Sequence, residues 1–266
     1  MTTLDVLGGH LYYEETGNGR PLVLLHGGAL DHRMWDQQVS DLARRARVVT
    51  VDARGHGRSS TPTEPFRQCD DVAALVRHLD VGPATLVGLS MGGGTAVDTT
   101  LEYPELVHAL VVSGGGTNEP YFRDPWVLTI QAEWARAQRE GDAAGWVEAF
   151  LLFAAGPHRR LDDVDPDVVE RCRVMGMETV TEHARPDAVA PGHVRGSWDR
   201  LGEVTVPVLS IVGGVDSDDH LEMAARLVDS VALGSTVVID DTAHYPNMER
   251  PDAFGAALDA FLDATE

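Results

Sequence analysis

The stretch Val87-Gly88-Leu89-Ser90-Met91-Gly92-Gly93 decides the fold that this sequence predicts. It contains a G-x-S-x-G pattern, which directly follows a predicted strand and directly precedes a predicted helix. A serine in this context lies at a sharp turn from strand to helix, with its hydroxyl presented at the end of the sheet. Gly88 and Gly92 have no Cβ, which allows the strand and the helix to pack closely around that turn. The pattern predicts Ser90 as a nucleophile.

A serine hydroxyl is a weak nucleophile, so it requires a base and an acid that orients the base. For a G-x-S-x-G serine the expected chain order is serine, then aspartate or glutamate, then histidine. Asp216 and His244 fit this order, because each follows a predicted strand and therefore lies at the same sheet edge as Ser90. Competing acids remain open at this point: Asp218, the main rival, Asp219, Asp240 and Asp241.

An acyl-transfer site also requires two N–H donors that stabilise the developing oxyanion. The backbone N–H of Met91, the residue after the nucleophile, is the first candidate. The second lies in the turn His26-Gly27-Gly28-Ala29, which follows an early apolar strand. We expect the N–H of Gly28 to serve, with that of Ala29 as the alternative.

Strand-like and helix-like segments alternate on both sides of Ser90, which predicts an α/β fold with a mostly parallel central sheet covered by helices. The predicted strands cover residues 11–15, 21–25, 48–51, 84–88, 106–113, 206–212 and 236–239. Residues 116–199 lack strands of this kind and contain three helical segments, at 125–140, 142–155 and 166–182. We therefore expect a core formed by residues 1–115 and 200–266, with a helical cap of residues 116–199 inserted in it.

Together these motifs resemble the α/β-hydrolase superfamily. The resemblance rests on the Ser90 stretch, His26-Gly27-Gly28, Asp52-Ala53-Arg54-Gly55-His56-Gly57-Arg58-Ser59, Gly214-Val215-Asp216 and His244. Within the superfamily, Gly88-Leu89-Ser90-Met91-Gly92-Gly93 resembles the motif of small bacterial lactonase, esterase and haloperoxidase-like members that use serine. The resemblance implies no cofactor and no metal, and it implies a structural role for His56.

The resemblance also implies that the insertion closes over the active site and selects substrates. Large apolar side chains of the insertion are candidates for an apolar pocket, together with Ala29 beside the nucleophile. They are Trp126, Trp134, Trp146, Phe150, Phe153, Met175 and Met177, and the alternative is that they form the insertion's own core. His183 and His193 are weaker candidates for reaching the site.

The composition excludes several classes of partner. Asp and Glu number 42 against 21 Lys and Arg, so the formal net charge is -21. A nucleic acid or an anionic membrane surface requires a basic footprint, which this chain lacks. Cys69 and Cys172 do not have metal-binding or redox spacing, and we expect two buried free thiols. The N-terminal residues do not resemble a signal peptide, which predicts a cytoplasmic location.

The sequence therefore predicts a serine hydrolase that cleaves a small ester, a lactone or a related carbonyl substrate, C–C bonds included, through an acyl-serine. Two alternatives stay open. The same residues can perform lyase or other acid/base chemistry without an acyl-enzyme, since one fold hosts many reactions. The chain can also be a ligand-binding module that has kept the fold. Monomer and homodimer are both compatible with the sequence.

Overall fold

Eight strands form one sheet in the computed structural model, which describes residues 2–265. The spatial order is β1-β2-β4-β3-β5-β6-β7-β8. Strands β1 and β2 run antiparallel to their neighbours, and all other pairs are parallel. The strands are β1 (Thr2–Val6), β2 (Gly9–Thr16), β3 (Pro21–Leu25), β4 (Arg47–Val51), β5 (Ala84–Leu89), β6 (Val107–Ser113), β7 (Val208–Gly213) and β8 (Gly234–Ile239).

Helices connect the parallel strands. They are α1 (Asp36–Leu42), α2 (Gln68–Leu79), α3 (Met91–Glu102), α4 (Pro125–Glu140), α5 (Ala143–Ala155), α6 (Pro166–His183), α7 (Ser197–Arg200), α8 (Asp218–Ser230), α9 (Pro246–Glu249) and α10 (Pro251–Thr265). Short 3₁₀ turns cover His32–Trp35, Pro104–Leu106, Leu161–Asp163 and Leu201–Glu203. None of the helices in residues 2–265 combines the length and apolarity needed to cross a membrane.

The central strands are buried on both faces. Every residue of β3, β5 and β7 is buried, because helices cover both sides of the sheet and a parallel strand in that position has no polar face. One apolar cluster contains Trp35 and Phe254, and the cluster on the opposite face contains Leu75 and Val97. The predicted α/β fold with a mostly parallel sheet is confirmed.

The first strand is the main element that the sequence pattern missed. Thr2–Val6 pairs antiparallel with β2, and its register joins Val6 to Gly9 across a two-residue turn. Its side chains are exposed or half-buried, so they lack the apolar run that marked the inner strands. Helix α8 begins at Asp218, because Ser217 caps it by accepting the N–H of His220.

Helices α4, α5 and α6 follow one another between β6 and β7, within the predicted insertion. Asp124 starts α4 by accepting the N–H of Trp126 at 2.8 Å, and Gly141, with φ at 67°, ends it. Side chains of these helices belong to one apolar cluster that also contains Trp35, Tyr245 and residues of one face of the sheet. The division into a core and a cap at residues 116–199 remains a prediction.

The two cysteines, Cys69 and Cys172, are buried and not bonded to each other. Burial raises the pKa of each thiol to about 12, so both are protonated at neutral pH. They are buried free thiols, as the sequence predicts.

Candidate active site

Ser90 lies in a strained conformation between β5 and α3. Its φ of 53° and ψ of -112° fall outside the regions that a residue with a Cβ normally adopts. The Ser90 N–H donates to the carbonyl of Ser113 on β6 at 2.7 Å, and its carbonyl accepts the N–H of Gly94 at 2.9 Å. These two bonds hold the serine at the point where the strand becomes a helix.

The glycines on either side of Ser90 permit this turn. A Cβ on Gly88 would lie 2.2 Å from the carbonyl oxygen of Gly92. A Cβ on Gly92 would lie 2.3 Å from the carbonyl oxygen of Leu25 on the neighbouring strand. Both distances are shorter than any real contact, so the strand, the turn and the helix approach each other as closely as only glycine allows.

Asp216 and His244 are hydrogen-bonded to each other at the carboxyl end of the sheet. His244 Nδ1 lies 2.8 Å from Asp216 Oδ2, and both residues are buried. Asp216 follows β7, and its Oδ1 also accepts the N–H of Ser217 at 2.7 Å. Because a carboxylate only accepts hydrogen bonds, His244 Nδ1 carries the proton and Nε2 is the basic nitrogen.

The electrostatic surroundings suit a base that works near neutral pH. Burial lowers the pKa of His244 below its ordinary value of 6.5, against the opposing effect of Asp216. Burial alone would raise the pKa of Asp216, but His220 and His244 together hold it far below its usual range. Asp216 is therefore ionised and His244 is neutral at pH 7.

Ser90 and His244 line the same cavity, which has a volume of about 320 Å³. Within residues 2–265, no hydrogen bond joins the Ser90 hydroxyl to His244. Catalytic hydrogen bonds are often long in ligand-free proteins and shorten when a substrate binds. The two side chains therefore line one space, which is the arrangement that a nucleophile and its base require.

Gly28 and Met91 lie beside each other next to Ser90. A Cβ on Gly28 would lie 3.9 Å from the Cβ of Met91. In the part of the chain that the structure describes, neither residue's N–H hydrogen-bonds to a protein acceptor. Met91 is the first residue of α3, where N–H groups have no partner within the helix and attract negative charge. The two N–H groups can therefore both donate hydrogen bonds to one oxyanion.

Aromatic side chains form most of the cavity wall. Of the candidate pocket residues, Ala29, Trp134, Trp146, Phe150 and Phe153 line the cavity with Ser90. Trp134 and Trp146 stack with 5.3 Å between ring centroids, and Trp146 stacks on Phe150 at 5.8 Å.

The other three candidates take part in packing and lie outside this lining. Met175 is buried in the apolar cluster, and Trp126 and Met177 pack against that cluster. The ring of Trp126 meets that of Phe153 edge-on at 5.4 Å, so it supports a residue of the wall.

The rival acids and histidines have other positions. Asp218 is exposed at the start of α8, while Asp219 accepts the N–H groups of Arg123 and Asp124, each at 2.7 Å. His183 contacts Thr61 Oγ1 at 2.7 Å and lines a larger neighbouring cavity of about 820 Å³.

Two further histidines lie outside the aromatic cavity. His56 also lines the larger cavity, and burial lowers its pKa to about 3. His193 lines a third cavity, which Ser90 also lines.

Several cavity residues were not expected from the sequence, and three of them have aromatic rings beside the site. Phe122 precedes α4, Tyr245 follows His244, and His220 lies on the first turn of α8. His220 Nδ1 is 3.0 Å from Asp216 Oδ1, and its ring centroid is 4.2 Å from that of His244. The sequence contains one signal for this contact, because His220 follows Asp216 by four residues at the start of a helix.

Two buried clusters bring groups that often bind metals within 4.8 Å of one another. One contains Asp216, His220 and His244, and the other contains Asp31, His32 and Asp52. In both clusters the groups already engage one another, since His32 Nδ1 contacts Asp52 Oδ1 at 2.7 Å. Mutual hydrogen bonding therefore accounts for both groupings.

The sequence profile of the α/β hydrolase fold family matches residues 20–251. This protein belongs to the α/β-hydrolase family. A curated relative of this α/β-hydrolase is 3-oxoadipate enol-lactonase 2 of Acinetobacter baylyi. The two sequences are 30% identical over 238 residues, which cover 86% of this chain and 83% of the relative.

Two solved structures have the same fold as this α/β-hydrolase. The enol-lactonase from Burkholderia xenovorans LB400 superposes with a TM-score of 0.77 at 25% identity, covering 98% of this chain and 100% of that one. A thermophilic esterase from Thermogutta terrifontis superposes with a TM-score of 0.78 at 28% identity, covering 97% and 94%. The family match and the structural likeness therefore agree on the α/β-hydrolase fold.

Proposed function

We propose that this α/β-hydrolase cleaves small esters or lactones through an acyl-serine intermediate at Ser90. The observation that carries the proposal is the cavity that Ser90 and His244 share, with Asp216 hydrogen-bonded behind His244. The relatives named as an enol-lactonase and an esterase support an ester or lactone substrate. The net charge of -21 supports a small molecule over a nucleic acid.

In the proposed reaction, Ser90 Oγ attacks the carbonyl carbon while His244 Nε2 accepts the hydroxyl proton. The carbonyl oxygen becomes an oxyanion that accepts hydrogen bonds from the N–H groups of Gly28 and Met91. Collapse of this intermediate breaks the bond to the leaving oxygen, which receives the proton from His244. An alcohol leaves from an ester, whereas the alcohol of a lactone stays attached to the acyl group.

Water then releases the acyl group in the reverse order of proton transfers. His244 takes a proton from the water as its oxygen attacks the acyl carbon, and it returns the proton to Ser90 as the carboxylic acid forms. Asp216 stays ionised throughout and stabilises the imidazolium form of His244 in both halves. The aromatic wall gives these charges an apolar surrounding, which strengthens their interactions.

The test compares the purified protein with Ser90→Ala on p-nitrophenyl esters of two to eight carbons and on γ-butyrolactone. We expect hydrolysis by the native chain and a loss of at least ~10³-fold in the variant, since members of a triad act as a unit. An unchanged rate in Ser90→Ala would contradict the assignment. Turnover without incorporation of oxygen from labelled water would instead favour a lyase, and no turnover would favour a binding module.

The helical insertion of residues 116–199 is proposed to act as a cap, because α4 and α5 supply Trp134, Trp146, Phe150 and Phe153 to the cavity wall. A cytoplasmic location and a monomeric or homodimeric state are part of the same proposal. Gel filtration with light scattering tests the oligomeric state, and an oligomer larger than a dimer would contradict the proposal.

A further inference from the structure

Asp216 interacts with two imidazoles. Its Oδ2 accepts from His244 Nδ1 at 2.8 Å, and its Oδ1 lies 3.0 Å from His220 Nδ1. Since the carboxylate is ionised and only accepts, both rings direct a protonated Nδ1 at it. The ordinary serine, histidine and aspartate arrangement requires one histidine, so the second imidazole needs an explanation.

His220 is held in this position by local structure. Its Nδ1 also lies 2.9 Å from Ser217 Oγ, and its N–H reaches the same oxygen at 3.4 Å. Its ring packs against Phe122 at 5.7 Å and against Phe153 at 5.8 Å between centroids. The His220 side chain is only 7% exposed, so its orientation is set by its partners and not by solvent.

The two imidazole rings lie side by side, tilted by 31°, with 4.2 Å between their centroids. A proton that arrives on His244 Nε2 therefore places a positive charge against the ring of His220, which shares the one carboxylate. The neighbouring ring disfavours the charged form of His244.

His220 also reduces what Asp216 can offer to His244. Asp216 Oδ1 accepts from both Ser217 N–H and His220, so part of the carboxylate charge is already used. A carboxylate that is relieved of one partner attracts the proton of its remaining partner more strongly. Removing His220 should therefore favour protonated His244 for two reasons. The neighbouring ring is gone, and the Asp216 carboxylate no longer divides its hydrogen bonds between two imidazoles.

We propose that His220 is a positioning residue that keeps His244 in its neutral, proton-accepting form by sharing the Asp216 carboxylate with it. The inference rests on the proposed serine hydrolysis, because it assigns His220 a task only if His244 is the base. Its consequence is that the enzyme retains a competent base at mildly acidic pH.

The other groups around His244 add no net charge, so Asp216 and His220 decide how readily His244 takes up a proton. Burial raises the pKa of Tyr245 well above 10.0, and Cys172 near it has a pKa of about 12, so both are neutral. Arg159 and Glu249 form an ion pair at 2.8 Å, with Glu249 also accepting the N–H of Ala243. From α5, the carbonyl of Phe153 accepts the His244 N–H at 3.4 Å and brings no charge. In agreement, His220 is one of the groups that lower the pKa of His244.

The experiment measures how fast diethyl p-nitrophenyl phosphate modifies Ser90 between pH 4 and pH 9. Ser90 Oγ attacks phosphorus, p-nitrophenolate leaves, and His244 takes the serine proton, so the rate falls when His244 is protonated. Aliquots are quenched at alkaline pH so that the released phenolate is always coloured. Ser90→Ala reports any release that does not involve this serine.

The variants are His220→Phe, which keeps an aromatic ring between Phe122 and Phe153, and His220→Gln, which keeps a hydrogen-bond donor without an imidazole ring. We expect the acid midpoint to move to higher pH by ~0.5–1 unit in His220→Phe, and by a smaller amount in His220→Gln. His158→Gln removes an exposed histidine and should leave the midpoint in place.

A midpoint that does not move, or that moves to lower pH, overturns the inference even when Ser90-dependent release is intact. A rate that falls by the same factor at every pH also overturns it, because this is the result of a purely structural role. Release that is independent of Ser90 overturns both this inference and the proposed function. If His220→Phe does not fold, NMR titration of the His244 C2–H in the native chain and in His220→Gln decides the question by the same shift.

Discussion

The carbonyl of Phe153 on α5 accepts the backbone N–H of His244 at 3.4 Å, and the two rings lie 5.4 Å apart. One residue of the helical insertion thus contacts the proposed base through its backbone and its side chain. Phe153 also lines the cavity beside Ser90. The segment between β6 and β7 therefore both lines this cavity and supports the loop that carries His244.

Replacing Phe153 by alanine should widen the cavity and destabilise the protein. Phe153 is 6% exposed, and removing a buried phenyl ring lowers the free energy of unfolding by about 3–5 kcal/mol. The space it leaves should raise the ratio of kcat/KM for p-nitrophenyl hexanoate over acetate by ~10-fold. Urea denaturation and ester kinetics measure the two effects.

The matched control is Leu152→Ala, because Leu152 is the preceding residue on α5 and is 38% exposed. It should change the free energy of unfolding by less than about 1 kcal/mol and leave the chain-length preference as it is. Equal effects of the two substitutions would refute a specific role for Phe153.

Asp216→Asn should lower kcat by ~10³–10⁴-fold with little change in KM. An amide can donate to His244 Nδ1, so the imidazole proton moves to Nε2, and the nitrogen that faces Ser90 can no longer accept the hydroxyl proton. Steady-state kinetics with p-nitrophenyl butyrate measures the loss. Asp218→Asn, two residues away and exposed, should stay within about twofold of the native rate. A larger loss in Asp218→Asn than in Asp216→Asn would transfer the acid's role to Asp218.

The native enzyme should lose kcat/KM on the acid side with a midpoint below pH 6.5. Only neutral His244 accepts the serine proton, and it is neutral above its pKa. Burial lowers that pKa from 6.5, so activity persists to lower pH than an ordinary histidine permits. Asp216 stays ionised over this range because its pKa is also lowered. A midpoint at or above pH 6.5, measured with p-nitrophenyl butyrate, would contradict a lowered pKa for His244.

Gly92→Ala should destabilise the protein by about 3 kcal/mol or more, because its Cβ would lie 2.3 Å from the carbonyl oxygen of Leu25. The backbone cannot yield at that point without displacing Ser90. Gly255→Ala is the matched control, since nothing lies within 4 Å of a Cβ there and the residue is inside α10. It should raise the free energy of unfolding by roughly 0.5–1 kcal/mol. Urea denaturation compares the two, and a tolerated Gly92→Ala would contradict the close packing of this turn.

Much of the fold could be predicted from the sequence because its signals are local. The inner strands are short apolar runs closed by glycine, and α4 is bounded by Asp124-Pro125 and Gly141, so its predicted limits match the structure. The first strand was missed because an exposed edge strand, Thr2–Val6, carries no apolar run.

The sequence by itself determined the turn at Ser90 and the chain order of serine, aspartate and histidine, because each depends on neighbouring residues and on where a strand ends. Only the tertiary structure decided which side chains surround them. Met175 faces the core while Phe122 and Tyr245 face the cavity, since those orientations depend on how the insertion packs on the sheet. The pairing of Asp216 with both His220 and His244 has the same origin. His220 at the start of α8 and His244 in a later loop both contact the Asp216 carboxylate, and no local sequence pattern predicts that pair of contacts.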